Sequence, residues 1–127
     1  MPDYPKVLVD TDILVDHLIC ENGDSSVLEK VMQSHICFTS VINASELYYA
    51  TKSEDEFIGV TQLLRSLKVL GMHARYSLLI PEFKETTTNL RDALICALAK
   101  NNKLTLLTNK KEKYKFADIQ LIHPDSL

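Results

Sequence analysis

Three acidic residues stand at positions where their carboxylates could act together on a phosphate ester. Asp10 follows the apolar run KVLV, Glu46 lies in NASEL, and Asp92 opens the Ala-rich run DALICALAK. If these segments surround a parallel sheet, the acids meet outside the carboxyl ends of its strands, where such sheets place their sites. Because clustered carboxylates repel one another, something must neutralise them. Oxygen ligands suit Mg²⁺ or Mn²⁺, which can activate water, so the implied reaction is phosphodiester hydrolysis.

Each of these acids also has a purely structural interpretation. Asp10 could be only the N-cap of a following helix, and for an isolated Asp the cap is the commoner role. Asp92 could cap its helix or interact with the helix dipole from the first turn. Glu46 lies beyond the point where a helix needs a cap, so a structural role explains it less well. The prediction of a metal site therefore depends on the three acids together.

The elements that would position these acids follow from the hydrophobic pattern. Apolar runs predict strands over residues 6–9, 35–39, 104–107 and 119–122, with KVLG at 68–71 as a further candidate. Capping patterns predict helices after Ser26 and Ser53, and apolar spacing predicts others after Asp10, after Ser40, before Pro81 and over 92–100. Strands that alternate with helices indicate an α/β fold with a parallel sheet covered on both faces.

Composition bounds the class of protein. The chain has 127 residues, 46% hydrophobic and 24% charged, which fits a single soluble domain over residues 1–127. No apolar run is long enough for a membrane span, and the N-terminus lacks the features of a signal peptide, so we expect a cytoplasmic protein. Cys20, Cys37 and Cys96 are widely spaced, which indicates neither a disulfide framework nor a zinc site.

One part of the chain is basic although the whole carries a net charge of −3. Between residues 100 and 115 lie six lysines and a single acid, Glu112. Lys110, Lys111 and Lys113 follow the predicted strand 104–107, so they are candidates for phosphate contacts near the acidic site. A solvated surface face is the commoner explanation of such a tract.

Three stretches together resemble the motifs of PIN-domain ribonucleases. VLVDTDILVDHL is similar to the opening motif of that family, TSVINASELYYA to the second, and LRDALICALAKNNKLTLLTN to the third. The match covers nearly the whole chain in order, and its length and motif order look like the VapC-type toxin subunit of a toxin–antitoxin pair. The resemblance implies a three-layer α/β/α sandwich around a parallel sheet of four or five strands.

The resemblance also implies an activity and partners. It implies a Mg²⁺- or Mn²⁺-dependent endoribonuclease in which Asp10, Glu46 and Asp92 are the catalytic acids and metal ligands. Many relatives are homodimers inhibited by an antitoxin protein, so an antitoxin and a second copy of the chain are candidate partners beside the RNA substrate. Asp12, Thr108 and Asn109 are accessory candidates next to this site.

The chain departs from the family pattern after the strand 104–107. A fourth acid or an Asn usually stands two residues after the Thr, where this chain has Lys110, and an Asp-Phe pair often follows, where it has Lys113-Tyr114. The departure removes negative charge from the site. It leaves open whether the site holds one metal ion or two, and whether nuclease activity is retained, weak or lost.

Two other functions compete with the ribonuclease. An aspartate-nucleophile phosphatase also has a strand followed by Asp-x-Asp, as in Asp10-Thr11-Asp12, but it would give Glu46 no role. A PIN-like module that binds RNA or protein with little or no nuclease activity is the stronger rival, because Lys110 favours it. Metal-dependent RNA cleavage would separate the enzyme from the module.

Overall fold

The computed structural model describes residues 4–20 and 25–127, and its centre is one parallel sheet of five strands. The strands are β1 (Lys6–Val9), β2 (Ile36–Ser40), β3 (Lys68–Leu70), β4 (Thr105–Leu107) and β5 (Leu121–Ile122). Their spatial order is β3-β2-β1-β4-β5, and every neighbouring pair is parallel. The predicted parallel sheet of four or five strands is confirmed.

Helices cover both faces of this sheet. They are α1 (Thr11–Ile19), α2 (Val27–Met32), α3 (Val41–Ala50), α4 (Glu54–Arg65), α5 (Tyr76–Phe83) and α6 (Leu90–Asn101). Because side chains alternate along a strand, Val7 and Val9 pack in a core with α1 to α4. Leu8 packs on the opposite face with α5 and α6. The predicted three-layer α/β/α sandwich is confirmed.

Some element boundaries differ from those predicted. The last helix begins at Leu90 rather than at Asp92, because Asn89 is the N-cap and its side-chain oxygen accepts from the Asp92 backbone N–H at 2.8 Å. α5 includes Pro81 and ends two residues later at Phe83. The last strand spans only 121–122, where it pairs with β4 at the sheet edge. The segment Asn22-Gly23-Asp24, whose residue types predict a turn after the first helix, lies outside the described residues.

The order of the strands brings the candidate site residues Asp10 and Thr108 to the same edge of the sheet. From β1, the chain leads to β2 on one side, and β4 later adds to the other side of β1. Ligand sites of parallel sheets lie outside the carboxyl ends of the strands at such a switch point. Asp10 follows β1 and Thr108 follows β4 at this place. No helix within 4–20 or 25–127 combines the length and hydropathy that a membrane crossing requires.

Candidate functional site

Asp10 is both a helix cap and the buried centre of the site. Its side chain is 2% exposed and its Oδ1 accepts from the Thr11 backbone N–H at 2.9 Å, which caps α1. The same carboxylate accepts from Thr108 Oγ1 at 3.1 Å through Oδ2. Asn43, on α3, donates to Asp10 Oδ1 at 3.3 Å. The cap role and the site role are therefore combined in one residue.

The two other predicted acids approach Asp10 from α3 and α6. Glu46 lies on the exposed face of α3 with a side chain that is 41% exposed, and Thr11 Oγ1 donates to its Oε1 at 2.6 Å. Asp92 is the third residue of α6 and its side chain has no exposed surface. Asn89 fixes Asp92 from the cap position, since Asn89 Nδ2 donates to Asp92 Oδ2 at 3.2 Å. The structure thus brings the three acids together.

What joins the three carboxylates is the guanidinium of Arg91. Its Nη2 donates to Asp10 Oδ1 at 2.9 Å and to Glu46 Oε1 at 2.7 Å. Its Nη1 donates to Asp92 Oδ1 at 3.0 Å and to the Tyr114 hydroxyl at 2.8 Å, and its Nε lies 3.3 Å from both Glu46 oxygens. A guanidinium has five N–H donors, and these contacts use all of them.

These ion pairs set the protonation of the site. Burial alone would raise the pKa of Asp10, but the charge of Arg91 and the hydrogen bonds from Arg91, Thr11 and Thr108 outweigh it, so the pKa of Asp10 is lowered. Burial alone would lower the pKa of Arg91, and its bonds to Glu46 and Asp10 raise that pKa instead. Asp10 is consequently an anion and Arg91 a cation at neutral pH.

Lys113 and Tyr114 both enter the acidic cluster. Lys113 Nζ lies 3.3 Å from Asp92 Oδ1. Tyr114 is fully buried, and its hydroxyl lies 3.2 Å from both Asp10 Oδ2 and Asp92 Oδ1. Because a hydroxyl has one proton, Tyr114 donates to one of these carboxylates at a time. Burial, with the nearby Asp10, raises the pKa of Tyr114.

The accessory candidates connect α1 to the loop after β4. Asp12 Oδ2 accepts from the Asn109 backbone N–H at 2.8 Å and lies 3.4 Å from Thr108 Oγ1. Burial, and the charge of Asp10, raise the pKa of Asp12 despite the Asn109 bond. Asp12 thus ties two segments together beside the site, and Asn109 takes part through its backbone.

The three lysines predicted to bind phosphate occupy different places. Lys110 and Lys113 line a cavity of about 520 Å³, together with Asp10, Glu46 and Arg91. Lys111 is exposed in a short 3₁₀ turn, Lys111–Lys113. Asp92 does not line the cavity, because its carboxylate is buried beneath its contacts with Arg91 and Tyr114. The cavity therefore presents carboxylates and cations side by side.

A divalent metal fits the chemistry of these ligands, but the position between them is held by Arg91. The three carboxylates are the hard oxygen ligands that Mg²⁺ and Mn²⁺ prefer. Yet each of them accepts from the guanidinium, and no group of three or more His, Cys, Asp or Glu within the described ranges is arranged to hold an ion. The cation that neutralises the three acids in this structure is therefore Arg91, a residue of the chain itself.

Arg91 is not among the residues that the acidic pattern predicts, although the sequence contains a signal for it. The residue is at the second position of α6, where the positive end of the helix dipole disfavours a cation. A cation in the first turn therefore indicates an acidic partner from elsewhere in the fold. Its neighbour Asp92 is a predicted site residue, so the pair Arg91-Asp92 carries this signal within the candidate site itself.

The chain is similar to one protein family and to several solved structures. The model of the PIN domain family matches residues 7–119, whereas no curated protein matches by sequence. Among solved structures, VapBC2 from Rickettsia felis bound to a promoter DNA fragment is 22% identical, with a TM-score of 0.76 over 93% of this chain and 98% of that one.

Two other complexes give similar values. DNA-bound VapBC from Salmonella typhimurium is 21% identical, with a TM-score of 0.78 over 94% of this chain and 98% of that one. VapBC-1 from nontypeable Haemophilus influenzae is 19% identical, with a TM-score of 0.76 over the same shares. At these identities the likeness shows a common fold. Since the family model spans most of its length, the chain belongs to the PIN domain family.

Proposed function

We propose that this chain is a metal-dependent endoribonuclease, the VapC-like toxin subunit of a toxin–antitoxin pair. The observation that carries the proposal is the convergence of Asp10, Glu46 and Asp92 on a single cationic group at the carboxyl edge of the sheet. They come from segments far apart in sequence, and two of the three are buried. Burying carboxylates is costly, so their convergence indicates a function for which their charge is needed.

In this proposal Asp10, Glu46 and Asp92 hold Mg²⁺ or Mn²⁺. When bound, the ion supplies a water of lowered pKa and stabilises charge on the phosphoryl group. The chain fixes Asp10 through Thr11 and Thr108, which leaves the carboxylate little freedom to turn. Glu46, on the exposed rim, is the acid that a substrate in the cavity can reach first.

RNA binding in this proposal depends on the cations beside the acids. Lys110 and Lys113 line the cavity, and Lys111 is exposed next to them. Phosphate contacts by lysines supply affinity without reading sequence. The proposed substrate is an RNA whose phosphate backbone crosses the cavity beside these lysines.

The proposed partners are an antitoxin protein and a second copy of the chain. The similar structures from Rickettsia felis and Salmonella typhimurium are VapBC complexes, which supports an antitoxin for this chain too. A small reading frame beside the gene, encoding a DNA-binding protein that forms a stable complex with the chain, would support this partner. Sedimentation of the purified chain tests the homodimer.

The nuclease is tested by cleavage of a labelled RNA with Mg²⁺, Mn²⁺ or EDTA present. We expect cleavage that requires the metal and disappears in Asp10→Asn, a change that keeps the size of the side chain. Asp118→Asn is the matched control, because Asp118 is 89% exposed and lies outside the cavity. Cleavage by the Asp10→Asn variant at the rate of the unmodified chain would refute the assignment.

A second candidate function is an RNA- or protein-binding module with weak or lost nuclease activity. It is favoured by Arg91 and Lys113, which already neutralise much of the acidic cluster. For the module we expect RNA binding that is insensitive to EDTA, with no cleavage at any metal concentration. The same assay thus separates the two functions.

A further inference from the structure

The acidic cluster already contains a cation that belongs to the chain. We propose that Arg91 is the resident cation of this site, and that a divalent metal binds Asp10, Glu46 and Asp92 only by displacing its guanidinium. The inference rests on the metal site of the proposed function, and it makes occupation of that site a cation exchange. It is carried by the contacts of Arg91 with all three carboxylates.

The lone pairs of the carboxylates show why the two cations exclude each other. A carboxylate offers about four acceptor sites. Asp10 Oδ1 already accepts from Thr11, Asn43 and Arg91. Its Oδ2 faces the hydroxyls of Thr108 and Tyr114. Tyr114 can give its one proton to Asp92 instead, but Oδ1, with three donors, has no site for a metal until one of them leaves.

Asp92 is equally occupied. Its Oδ1 lies within 3.3 Å of Arg91 Nη1, Lys113 Nζ and the Tyr114 hydroxyl. Its Oδ2 accepts from Asn89, which also caps the helix. Asn89 is held in place as the N-cap of α6, and Tyr114 is held in place by its complete burial. The donors that can leave Asp92 are thus the two long cationic side chains.

The charge balance leads to the same conclusion. Three carboxylates face Arg91 and Lys113, so a single negative charge remains to attract a metal. Mg²⁺ gives up its waters reluctantly and needs carboxylates to do so. Removal of the guanidinium returns one negative charge to the cluster and frees one acceptor site on each acid. Metal affinity is therefore low while Arg91 is in place.

Arg91 has room to leave without unfolding its helix. Its side chain is 24% exposed and lines the cavity. It stands in the first turn of α6, where the helix dipole opposes a cation. Rotation of its side-chain torsions would carry the guanidinium into that cavity, which Lys110 also lines, and an anion such as phosphate would be its next partner there.

Mn²⁺ binding, followed by the electron paramagnetic resonance of the free ion, tests the exchange. We expect Arg91→Gln to bind Mn²⁺ at least tenfold more tightly than the unmodified chain. Arg91→Lys keeps the charge but has fewer N–H donors, so its affinity should lie between the two. The matched control is Arg65→Gln, an exposed position at the end of α4, and it should bind like the unmodified chain. Equal affinities in all four proteins would overturn the proposal.

A second measurement needs no variant and so avoids any failure to fold. In the unmodified chain, NMR follows the Arg91 Nε–H and the Thr11 amide, which donates to Asp10, during Mg²⁺ addition. We expect both signals to move together, with the Arg91 Nε–H losing its protection from solvent exchange. Movement of the Thr11 amide alone would show metal binding beside an undisturbed guanidinium and would refute the exchange.

The failures of the two proposals are distinguishable. If neither Arg91→Gln nor Arg91→Lys binds Mn²⁺, the metal site and the exchange are both wrong. If Mn²⁺ binds as we expect but RNA is not cleaved, the exchange holds and only the nuclease is wrong. The exchange itself is judged only from metal binding and from the NMR signals, so RNA cleavage tests the nuclease alone.

Discussion

Removal of the Arg91 guanidinium should destabilise the chain strongly at neutral pH. Asp10 and Asp92 have side chains 2% and 0% exposed, and Arg91 is the cation that pairs with both. When one partner of a buried ion pair is deleted, the remaining charge costs about 3–5 kcal/mol. Lys113 still lies near Asp92, and the Glu46 side chain is partly exposed to water, so we expect the lower half of that range for Arg91→Gln. In a domain of this size the loss lowers Tm by roughly 10 °C.

The pH dependence of this loss has a definite sign. In the unmodified chain the pKa of Asp10 is lowered from its ordinary value of 3.8. Its contribution to stability is therefore present above that value and is lost as pH falls through the folded-state pKa. In Arg91→Gln, burial remains without the guanidinium and raises the pKa of Asp10 above its unfolded value. The cost of the buried charge then disappears as pH falls, so the stability difference narrows from pH 7 toward about pH 4.

Urea unfolding followed by circular dichroism between pH 4 and pH 7 measures this difference. Arg65→Gln is the control for loss of an arginine, and it should stay close to the unmodified chain. The double variant Asp10→Asn with Arg91→Gln should regain part of the stability, because it removes the buried charge as well. A loss for Arg91→Gln below about 1 kcal/mol at pH 7, or one independent of pH, would refute the reasoning.

Individual side chains give three further predictions. Tyr114→Phe removes the hydroxyl that contacts Asp10 and Asp92, and it leaves one N–H of the Arg91 guanidinium without an acceptor. The free energy of unfolding in urea should therefore fall by about 1–3 kcal/mol, and an unchanged value would mean that water replaces the hydroxyl. Lys110 and Lys111 are predicted to contact phosphates, and we expect that replacing both by Ala makes the plot of log binding constant against log salt concentration less steep. For single-stranded RNA the slope should change by about 0.7 for each phosphate that these lysines neutralise, and an unchanged slope would mean that they are only surface residues. Burial raises the pKa of Cys37 to about 11 and that of Cys96 to about 12, so a thiol reagent at pH 8 should modify them only on unfolding, and rapid modification of the folded chain would contradict their burial.

Local sequence was sufficient for the architecture and for the positions of the acids. KVLV has the apolar, β-branched character of a buried strand and forms β1, and Ser26 and Ser53 cap the helices that their patterns predict. Such features are determined by neighbours within a few residues, so one chain contains the information needed to recognise them. The rule that sites lie beyond the carboxyl ends of parallel strands also predicts the sheet edge at which Asp10 lies.

The charge balance of the site was decided by the tertiary structure. Arg91 and Glu46 are 45 residues apart in sequence, and Tyr114 reaches Asp10 across 104 residues. Periodicity does not encode such contacts, since they depend on where separate helices place the ends of long side chains. Electrostatic interaction depends on distance in space and on burial. For that reason the same three acids indicate a metal when read along the chain, and in the folded protein they hold an arginine.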